Sequence, residues 1–270
     1  MLELEFAQLS DRGLTRDHNE DFLGHVLPST PAQVHSHGWL FALADGMGGH
    51  ENGEVASRLA IETMLAGFRK IPKGVMHASL LPRLVQDANH AVYEAGHTHG
   101  SHAGGPTGRM GTTLVACALR FDSAVVSHVG DSRCYLFRGG GGGPLTRDHT
   151  VADEQLRLGI LSPSEAAEAD GRHLLTRSLG QELFVAADTI TVNVIPGDVL
   201  LLCSDGLHGF LPDAMIQHLI HANPSLEQAA EALVSAANKA GGHDNVSVQL
   251  IRVLSVERMG LYRGRPYRLL

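Results

Sequence analysis

Carboxylates at the ends of two apolar strands are the residues of this chain best suited to chemistry. Asp45-Gly46 follows the apolar run at residues 39–44, and Asp205-Gly206 follows the run at residues 199–204. A lone carboxylate at the end of a buried strand is costly to bury unless a positive charge meets it. Two such strand ends, brought together, would offer the oxygen ligands that hard divalent cations prefer.

Further acidic residues adjoin turns or strand ends. They are Glu20 and Asp21 in Arg16-Asp17-His18-Asn19-Glu20-Asp21, Asp131 after Gly130, and Asp244 in His243-Asp244-Asn245. Taken singly, each is an ordinary turn residue. The joint case is stronger, because Asp45 and Asp205 follow buried strands and Asp244 immediately precedes one. Oxygen ligands without a set of His and Cys select Mg²⁺ or Mn²⁺ over Zn²⁺.

Such a site suits in-line attack on a phosphoryl group. A bridging aspartate could hold two ions about 4 Å apart, and the ions would lower the pKa of a water between them. The Gly46 carbonyl could serve as a ligand because a missing side chain lets the backbone approach closely. Arg16 would hold the phosphate oxygens through two hydrogen bonds of its guanidinium. Other phosphatase chemistries are excluded, since the chain has no Cys-x5-Arg, no strand ending in Asp-x-Asp and no Gly-x-Ser-x-Gly.

Five continuous apolar stretches predict the strands that would position these residues: 39–44, 112–119, 123–137 with a bend at Gly130, 198–204 and 245–253. Helical spacing is seen at 53–70 and 79–95, Ser162 to Glu165 forms a capping box, and Pro224 opens a helix that should end at Gly241. Because strands and helices come in blocks and the strands are not alternating, we expect an α+β fold with buried sheets packed together and helices outside.

Two loops have unusual composition. The five glycines at 139–143 are interpreted as a flexible hairpin connection, since no helix or Gly-Lys-Ser/Thr follows them. The loop at 96–110 contains the cluster from His97 to His102, which is either a polar surface loop or a transition-metal site.

Bulk properties limit the class of protein. The 270 residues carry a net charge of −8, which argues against a nucleic-acid binder. No apolar run approaches the roughly 20 residues that span a bilayer, and the N-terminus lacks the features of a signal peptide. The three cysteines lie in apolar runs, so we expect reduced core residues and a cytoplasmic protein.

The chain is expected to form one domain over residues 1–255, followed by a basic tail at 256–270. Five arginines (Arg252, Arg258, Arg263, Arg265, Arg268) face only Glu257 in the last stretch. The tail is either a solvated extension or a segment that docks on an acidic partner.

The ordered motifs resemble the metal-dependent protein serine/threonine phosphatase family (PPM, or type 2C), in its bacterial branch. They are Arg16-x-x-Asn19-Glu20-Asp21, Asp45-Gly46-Met47-Gly48-Gly49-His50, Gly53-Glu54-Val55-Ala56-Ser57, Met110-Gly111-Thr112-Thr113, Val129-Gly130-Asp131-Ser132-Arg133, Leu145-Thr146-x-Asp148-His149, Ser204-Asp205-Gly206-Leu207 and Gly241-Gly242-x-Asp244-Asn245-Val246-Ser247-Val248. Any one of them is weak, but the ordered set is specific and covers residues 6–253.

The resemblance implies a four-layer αββα sandwich with two central antiparallel sheets flanked by helices. It also implies two Mn²⁺ or Mg²⁺ ions at one end of the sandwich. Asp45 would bridge both ions and the Gly46 carbonyl would bind one, while Asp205 and Asp244 would hold the other. Glu20 and Asp21 would act directly or through water, Asp131 with Asp205 would bind a weaker third ion, and Arg16 would bind the substrate phosphate.

Two positions depart from the family pattern. Met47 stands where some relatives have a histidine that is a candidate general acid, so the proton donor for the leaving group is not identified. His243 precedes Asp244 where a small or polar residue is expected, and it either bonds a metal-bound water or is simply exposed. We favour exposure. The segment from Leu145 to Gly180 matches the family's flap, which lies beside the active site.

The leading hypothesis is therefore a metal-dependent phosphatase of phosphoserine and phosphothreonine in proteins, with Asp45, Asp205 and Asp244 as its catalytic carboxylates. The resemblance implies a serine/threonine kinase as the opposing partner, and we expect a monomer without nucleic-acid or membrane partners. Two alternatives remain open: a catalytically weak phosphatase-like sensor or scaffold, and a phosphatase of a small phosphoserine regulator in a sigma-factor switch.

Overall fold

The computed structural model describes residues 1–47, 51–72, 74–100, 110–257, 259–262 and 265–268. Its strands are β1 (Glu3–Asp11), β2 (Asp21–Val26), β3 (Trp39–Met47), β4 (Gly111–Thr112), β5 (Leu114–Arg120), β6 (Ser123–Val129), β7 (Arg133–Arg138), β8 (Gly141–Pro144), β9 (Asp188–Asn193), β10 (Val199–Cys203), β11 (Val246–Ser255), β12 (Met259–Tyr262) and β13 (Arg265–Arg268). Its α-helices are α1 (Pro31–Ser36), α2 (Glu51–Arg69), α3 (His77–Gly100), α4 (Val151–Arg157), α5 (Pro163–Glu168), α6 (Asp205–His208), α7 (Asp213–Ala222) and α8 (Leu226–Lys239).

The strands build two antiparallel sheets. One has the order β1-β11-β10-β7-β8, and the other has the order β2-β3-β5-β6-β9 with β4 paired to β3. Strands β12 and β13 follow β11 and pair with each other as a hairpin.

The residues of β3 show why its apolar run is continuous. Leu40, Ala42 and Ala44 pack against α2 and α3, whereas the alternate residues Phe41 and Leu43 face the other sheet. Successive side chains of a strand point to opposite faces. A strand buried on both faces must therefore be apolar at every position.

Strand β10, in the other sheet, is also buried on both faces. Leu201 and Cys203 pack on the side of α7 and α8, while Leu200 and Leu202 point into the core between the sheets. The layers are thus helices, sheet, sheet and helices. This arrangement confirms the predicted α+β sandwich.

Helix boundaries follow local chemistry. Ser225 caps α8, since its side chain accepts a hydrogen bond from the backbone N–H of Gln228, and the helix begins at Leu226, two residues after the predicted start at Pro224. The predicted capping box is present at α5, where Ser162 and Glu165 bond each other's backbone. In α8 the buried residues repeat at helical spacing: Leu226, Ala229, Ala230, Leu233, Val234 and Ala237.

Strands β1, β2 and β9 were not predicted from the apolar pattern. The first lies at the edge of its sheet, and among its residues only Ala7 is buried. Strand β9 is also an edge strand and has no buried residue. Edge strands need few apolar side chains, so their sequences lack the signal on which the prediction rested.

The two unusual loops differ from their predictions. Helix α3 continues to Gly100, so the loop expected from residue 96 begins later, and residues 101–109 lie outside the described structure. The His97 to His102 cluster therefore cannot be placed as a whole. Gly141 to Gly143 belong to β8 and pair with β7, so the five glycines form a hairpin as expected but contribute three residues to a strand.

The three cysteines are free and buried, as predicted. Arg252 is not part of a tail, since it lies in β11 and its side chain bonds Glu5 at 3.0 Å. The side chains of the remaining tail arginines lie outside the described structure, and the domain boundary at residue 255 stays a prediction. Among the helices of the described ranges, none is long and apolar enough to cross a membrane.

Candidate active site

Five strand ends meet at one end of the sandwich. Asp21 opens β2 and stands directly opposite Asp45 near the end of β3. Asp205 follows β10, Asp244 precedes the antiparallel neighbour β11, and Asp131 follows β6. In antiparallel pairing the end of one strand lies beside the start of its neighbour, which is why residues so far apart in sequence converge.

A cleft of about 590 Å³ lies at this end. Among the predicted site residues, those lining it are Arg16, Glu20, Asp45, Gly46, Asp131, Asp205 and Asp244. Asp21 is not among the lining residues. It is buried behind them, where its Oδ2 accepts a hydrogen bond of 2.8 Å from Ser204 Oγ.

The backbone of Asp45 is held by three hydrogen bonds with two consecutive threonines, Thr112 and Thr113. Its carbonyl oxygen accepts 2.8 Å bonds from Thr112 Oγ1 and from the Thr113 N–H, and its own N–H donates to Thr113 Oγ1 at 2.9 Å. The motif Met110-Gly111-Thr112-Thr113 was noted in the sequence, but its function of fixing Asp45 was missed.

Gly46 and Gly53 allow the end of β3 to touch the start of α2. A Cβ on Gly46 would overlap the Gly53 carbonyl oxygen, and a Cβ on Gly53 would overlap the Glu20 carboxylate. Gly46 is therefore required for the close approach of the two backbones, whereas Gly53 leaves room for the Glu20 carboxylate.

Asn245 organises the loop that carries Arg16 and Glu20. Its Oδ1 accepts a bond of 2.8 Å from the Glu20 N–H, and its Nδ2 donates to the carbonyl oxygens of Arg12 and His18, both at 2.9 Å. One side chain thus ties three points of the loop to β11. The Asp-Asn pair in the sequence was the available signal for this residue.

The Arg16 guanidinium donates to Asp244 Oδ2 at 2.8 Å and lies half exposed at the rim of the cleft. Asp244 Oδ1 accepts from the Asn245 N–H. The predicted phosphate-binding residue and a predicted metal ligand are therefore direct neighbours. His243 is exposed, as we favoured, and its ring also borders the cleft beside Phe210.

The flap covers one side of the cleft. It contains α4, α5 and a 3-10 turn at Asp170–His173, and Arg172 and His173 of that turn line the cleft. A second cleft of about 350 Å³ lies next to the first and is lined by residues of α4 and α5. The sequence did not predict that Arg172 and His173 line the cleft, because their position depends on the tertiary packing of the flap.

Burial, and after it mutual repulsion, disfavours the charged form of these carboxylates. Burial raises the pKa of Asp45 well above its usual value, and the charges of Asp21, Asp205, Asp131 and Asp244 raise it further. Burial, followed by the charge of Asp205, raises the pKa of Asp131 to about 8. Burial likewise raises the pKa of Asp21 to about 7, although bonds from serine hydroxyls oppose the shift.

This electrostatic pattern fits divalent cations. The Oδ1 atom of Asp205 is buried and accepts no hydrogen bond from any residue within the described ranges. Clustered carboxylates with unsatisfied oxygens are stabilised by a hard cation, which supplies the positive charge they lack. The donor set consists of oxygens, as Mg²⁺ and Mn²⁺ prefer.

Known proteins resemble the chain over nearly its whole length. A sequence profile described as protein phosphatase 2C matches residues 16–255. The serine/threonine phosphatase stp of Listeria innocua is 34% identical over 259 residues, which cover 95% of this chain and 96% of that protein.

Solved structures agree with the sequence match. The crystal structure of the Mycobacterium tuberculosis serine/threonine phosphatase PstP/Ppp superposes with a TM-score of 0.80 at 34% identity, over 94% of this chain and 100% of the other. A structure of the catalytic domain of PstP in complex with two manganese ions gives a TM-score of 0.78 at 34% identity, over 94% of this chain and 100% of the other.

Proposed function

The chain belongs to the protein phosphatase 2C family, and we propose that the cleft lined by Asp45, Asp205 and Asp244 is where it hydrolyses its substrates. The protein is a metal-dependent phosphatase of phosphoserine and phosphothreonine in proteins. One observation supports the position of the active site above others: four aspartates from separate strand ends (Asp45, Asp131, Asp205 and Asp244) converge on one cleft beside the half-exposed Arg16.

Divalent ions would be held by the oxygens of this cluster. Asp45 would contribute to holding both ions, the Gly46 carbonyl to one of them, and Asp205 and Asp244 to the other. Glu20 and Asp21 would complete the set directly or through water. When bound, the ions lower the pKa of a water molecule so that hydroxide forms near neutral pH, and they offset the charge of the phosphate.

Mn²⁺ and Mg²⁺ are both proposed as cofactors, because the ligands are oxygens. The PstP structure with two manganese ions supports a pair of ions. A third and weaker ion is proposed between Asp131 and Asp205. These two carboxylates are close enough for the charge of Asp205 to raise the pKa of Asp131.

Arg16 would orient the substrate. Its guanidinium can donate two parallel hydrogen bonds to phosphate oxygens, which places the phosphorus in line with the attacking water oxygen. The bond from that oxygen to phosphorus forms as the bond from phosphorus to the serine or threonine oxygen breaks. The leaving oxygen then takes up a proton. Met47 has no proton to donate, so the proton comes from water or another residue.

The biological setting belongs to the same proposal. We infer a serine/threonine kinase whose phosphorylation this enzyme reverses, and we propose that the enzyme acts as a monomer. A cytoplasmic location is supported by three buried, free cysteines. A small phosphoserine regulator in a sigma-factor switch would need the same chemistry and stays an alternative substrate.

The Asp45→Asn substitution tests the site. It removes the shared charge while keeping the shape, so hydrolysis of p-nitrophenyl phosphate and of a phosphothreonine peptide with Mn²⁺ should fall to background. Asp87→Asn is the matched control, because Asp87 is exposed on α3 and lies outside the cleft. Near-normal turnover by Asp45→Asn, with metal-dependent activity in the parent protein, would show that the active site lies elsewhere.

A further inference from the structure

The turn between β6 and β7, at residues 130–132, is hydrogen-bonded to His149 near the start of the flap. The Gly130 N–H donates to His149 Nδ1 at 3.1 Å, and the His149 N–H donates to the Gly130 carbonyl oxygen at 3.0 Å. Gly130 has a φ of 101°, and a Cβ at this position would press against Thr113. The next residue is Asp131, so the conformation of this turn aims the carboxylate that lines both clefts.

Two further contacts hold the turn from outside the flap. His208 Nε2 donates to the Asp131 carbonyl oxygen at 3.0 Å, and Ser132 Oγ lies 2.7 Å from Thr113 Oγ1. Within residues 130–132 the described contact with the flap is made by His149, and the next residue, Arg133, donates from Nε and Nη2 to the carboxylate of Asp148 in the flap. It stands at the base of the flap, where Thr176 N–H donates to its carbonyl oxygen at 2.8 Å and Thr150 pairs with Leu175.

The hydrogen bond from Gly130 determines the tautomer of His149. A neutral imidazole has one lone pair, and here it lies on Nδ1 because that atom accepts from a backbone N–H. The proton is therefore on Nε2, which faces Asp188 Oδ2 at 3.4 Å. Burial, together with His128 and Arg177, lowers the pKa of His149 to about 4, so the ring is neutral at pH 7.

A metal site would be a competing use of these side chains. One atom each from His128, His149 and Asp188 lie within 4.8 Å of one another. His128 could serve as a ligand, since its Nε2 donates to the Arg147 carbonyl oxygen and leaves the lone pair on Nδ1. His149 is not suited to be a ligand. Its Nδ1 lone pair already accepts the Gly130 N–H, and its Nε2 carries the proton, whereas a metal ligand needs a free lone pair. The cluster is thus better suited to hold a hydrogen bond than an ion.

We propose that His149 is a positioning residue, whose neutral imidazole fixes the Gly130–Asp131 turn and thereby ties the base of the flap to the Asp131 carboxylate. This inference rests on the proposed function in one respect, the assignment of Asp131 to the weaker third ion. Residues that orient a metal ligand typically change metal affinity by about 10- to 100-fold when they are replaced.

Two variants separate the hydrogen bond from packing. His149→Leu removes the acceptor, whereas His149→Asn keeps an oxygen acceptor near the position of Nδ1. We expect His149→Leu to speed amide exchange of Gly130 at least about tenfold in metal-free protein, and to weaken the weakest Mn²⁺ site in a calorimetric titration by about tenfold. His149→Asn should stay within about threefold of the parent protein in both measurements.

Three outcomes would overturn the proposal. One is unchanged Gly130 exchange and Mn²⁺ binding in His149→Leu, and another is an equal defect in His149→Asn. The third needs no variant: ¹⁵N NMR of the parent protein at pH 7 should show the Nε2–H tautomer, and a ring protonated on Nδ1 would contradict it. Amide exchange and tautomer are read without metal or substrate, so their result is independent of whether Asp45→Asn abolishes hydrolysis.

Discussion

Arg16 has one observed partner, Asp244, and one proposed partner, the substrate phosphate. Its guanidinium bonds Asp244 at 2.8 Å, yet half of the side chain remains exposed to the cleft. An exposed ion pair contributes little to stability, typically about 0–1 kcal/mol. The ion pair with Asp244 therefore gives Arg16 little structural importance, and its proposed role in phosphate binding can be tested by replacement.

Replacing Arg16 should weaken catalysis but leave the fold intact. We expect Arg16→Ala to lower kcat/KM for a phosphothreonine peptide by about 10- to 100-fold, since a charged hydrogen bond to phosphate contributes about 1.5–3 kcal/mol. Steady-state kinetics at saturating Mn²⁺ would measure the loss. Arg12→Ala is the control, because Arg12 is exposed on the same loop and lies outside the cleft lining. Equal kinetics for the two variants would remove Arg16 from phosphate binding.

At the scale of elements, the site depends on how closely β3 and α2 approach each other. Gly46 at the end of the strand faces Gly53 in the helix, and the Gly46 N–H donates to the Glu20 carbonyl oxygen at 3.1 Å. Close packing at this position leaves no room for a methyl group. The two elements must therefore separate if Gly46 is replaced, whereas a Cβ on Gly53 would displace the Glu20 carboxylate.

Gly46→Ala is expected to cost about 1–3 kcal/mol in the free energy of unfolding, because the added Cβ overlaps backbone atoms that cannot move aside alone. Urea denaturation would measure the loss, and Mn²⁺-dependent activity should fall with it. Gly143→Ala is the matched control: its Cβ would meet no atom within 4 Å, and its backbone is not left-handed. A neutral Gly46→Ala would mean that this contact does not constrain the site.

At the scale of the whole molecule, buried histidines make stability depend on pH. His77 begins α3 and its Nε2 donates to the His37 carbonyl oxygen at 2.7 Å. Burial, followed by the charge of Arg120, lowers its pKa from 6.5 to about 4. A group with a lowered folded pKa contributes stability above its unfolded pKa, and that contribution disappears as the pH falls toward the folded value.

We therefore expect the free energy of unfolding to decrease between pH 6.5 and 4, with His77 contributing about 3 kcal/mol of the change at 1.36 kcal/mol per pKa unit. His77→Gln keeps a donor for the His37 carbonyl but does not titrate, so its urea midpoint should vary less with pH. His90→Gln, at an exposed position of the same helix, should keep the parent slope. Identical slopes for all three proteins would contradict the prediction.

Much of this fold could be predicted from local sequence. The continuous apolar runs that became β3, β5, β10 and β11 were found because strands buried on both faces have no polar positions. The edge strands β1 and β9 were missed for the opposite reason. The four-layer arrangement followed from the family resemblance, and helix starts such as Ser162 were found because capping is local chemistry.

The sequence by itself determined which groups this protein brings to its chemistry: aspartates after buried strands, a glycine beside one of them and an arginine on a polar loop. Only the tertiary structure decided which groups meet. Asn245 holds the Arg16 loop, Thr113 clamps Asp45, and His149 grips the turn before Asp131. The physical reason is the distance in sequence over which each interaction acts. Residue chemistry and strand formation depend on neighbours in sequence. These hydrogen bonds, in contrast, join residues that only antiparallel pairing and contact between layers bring together.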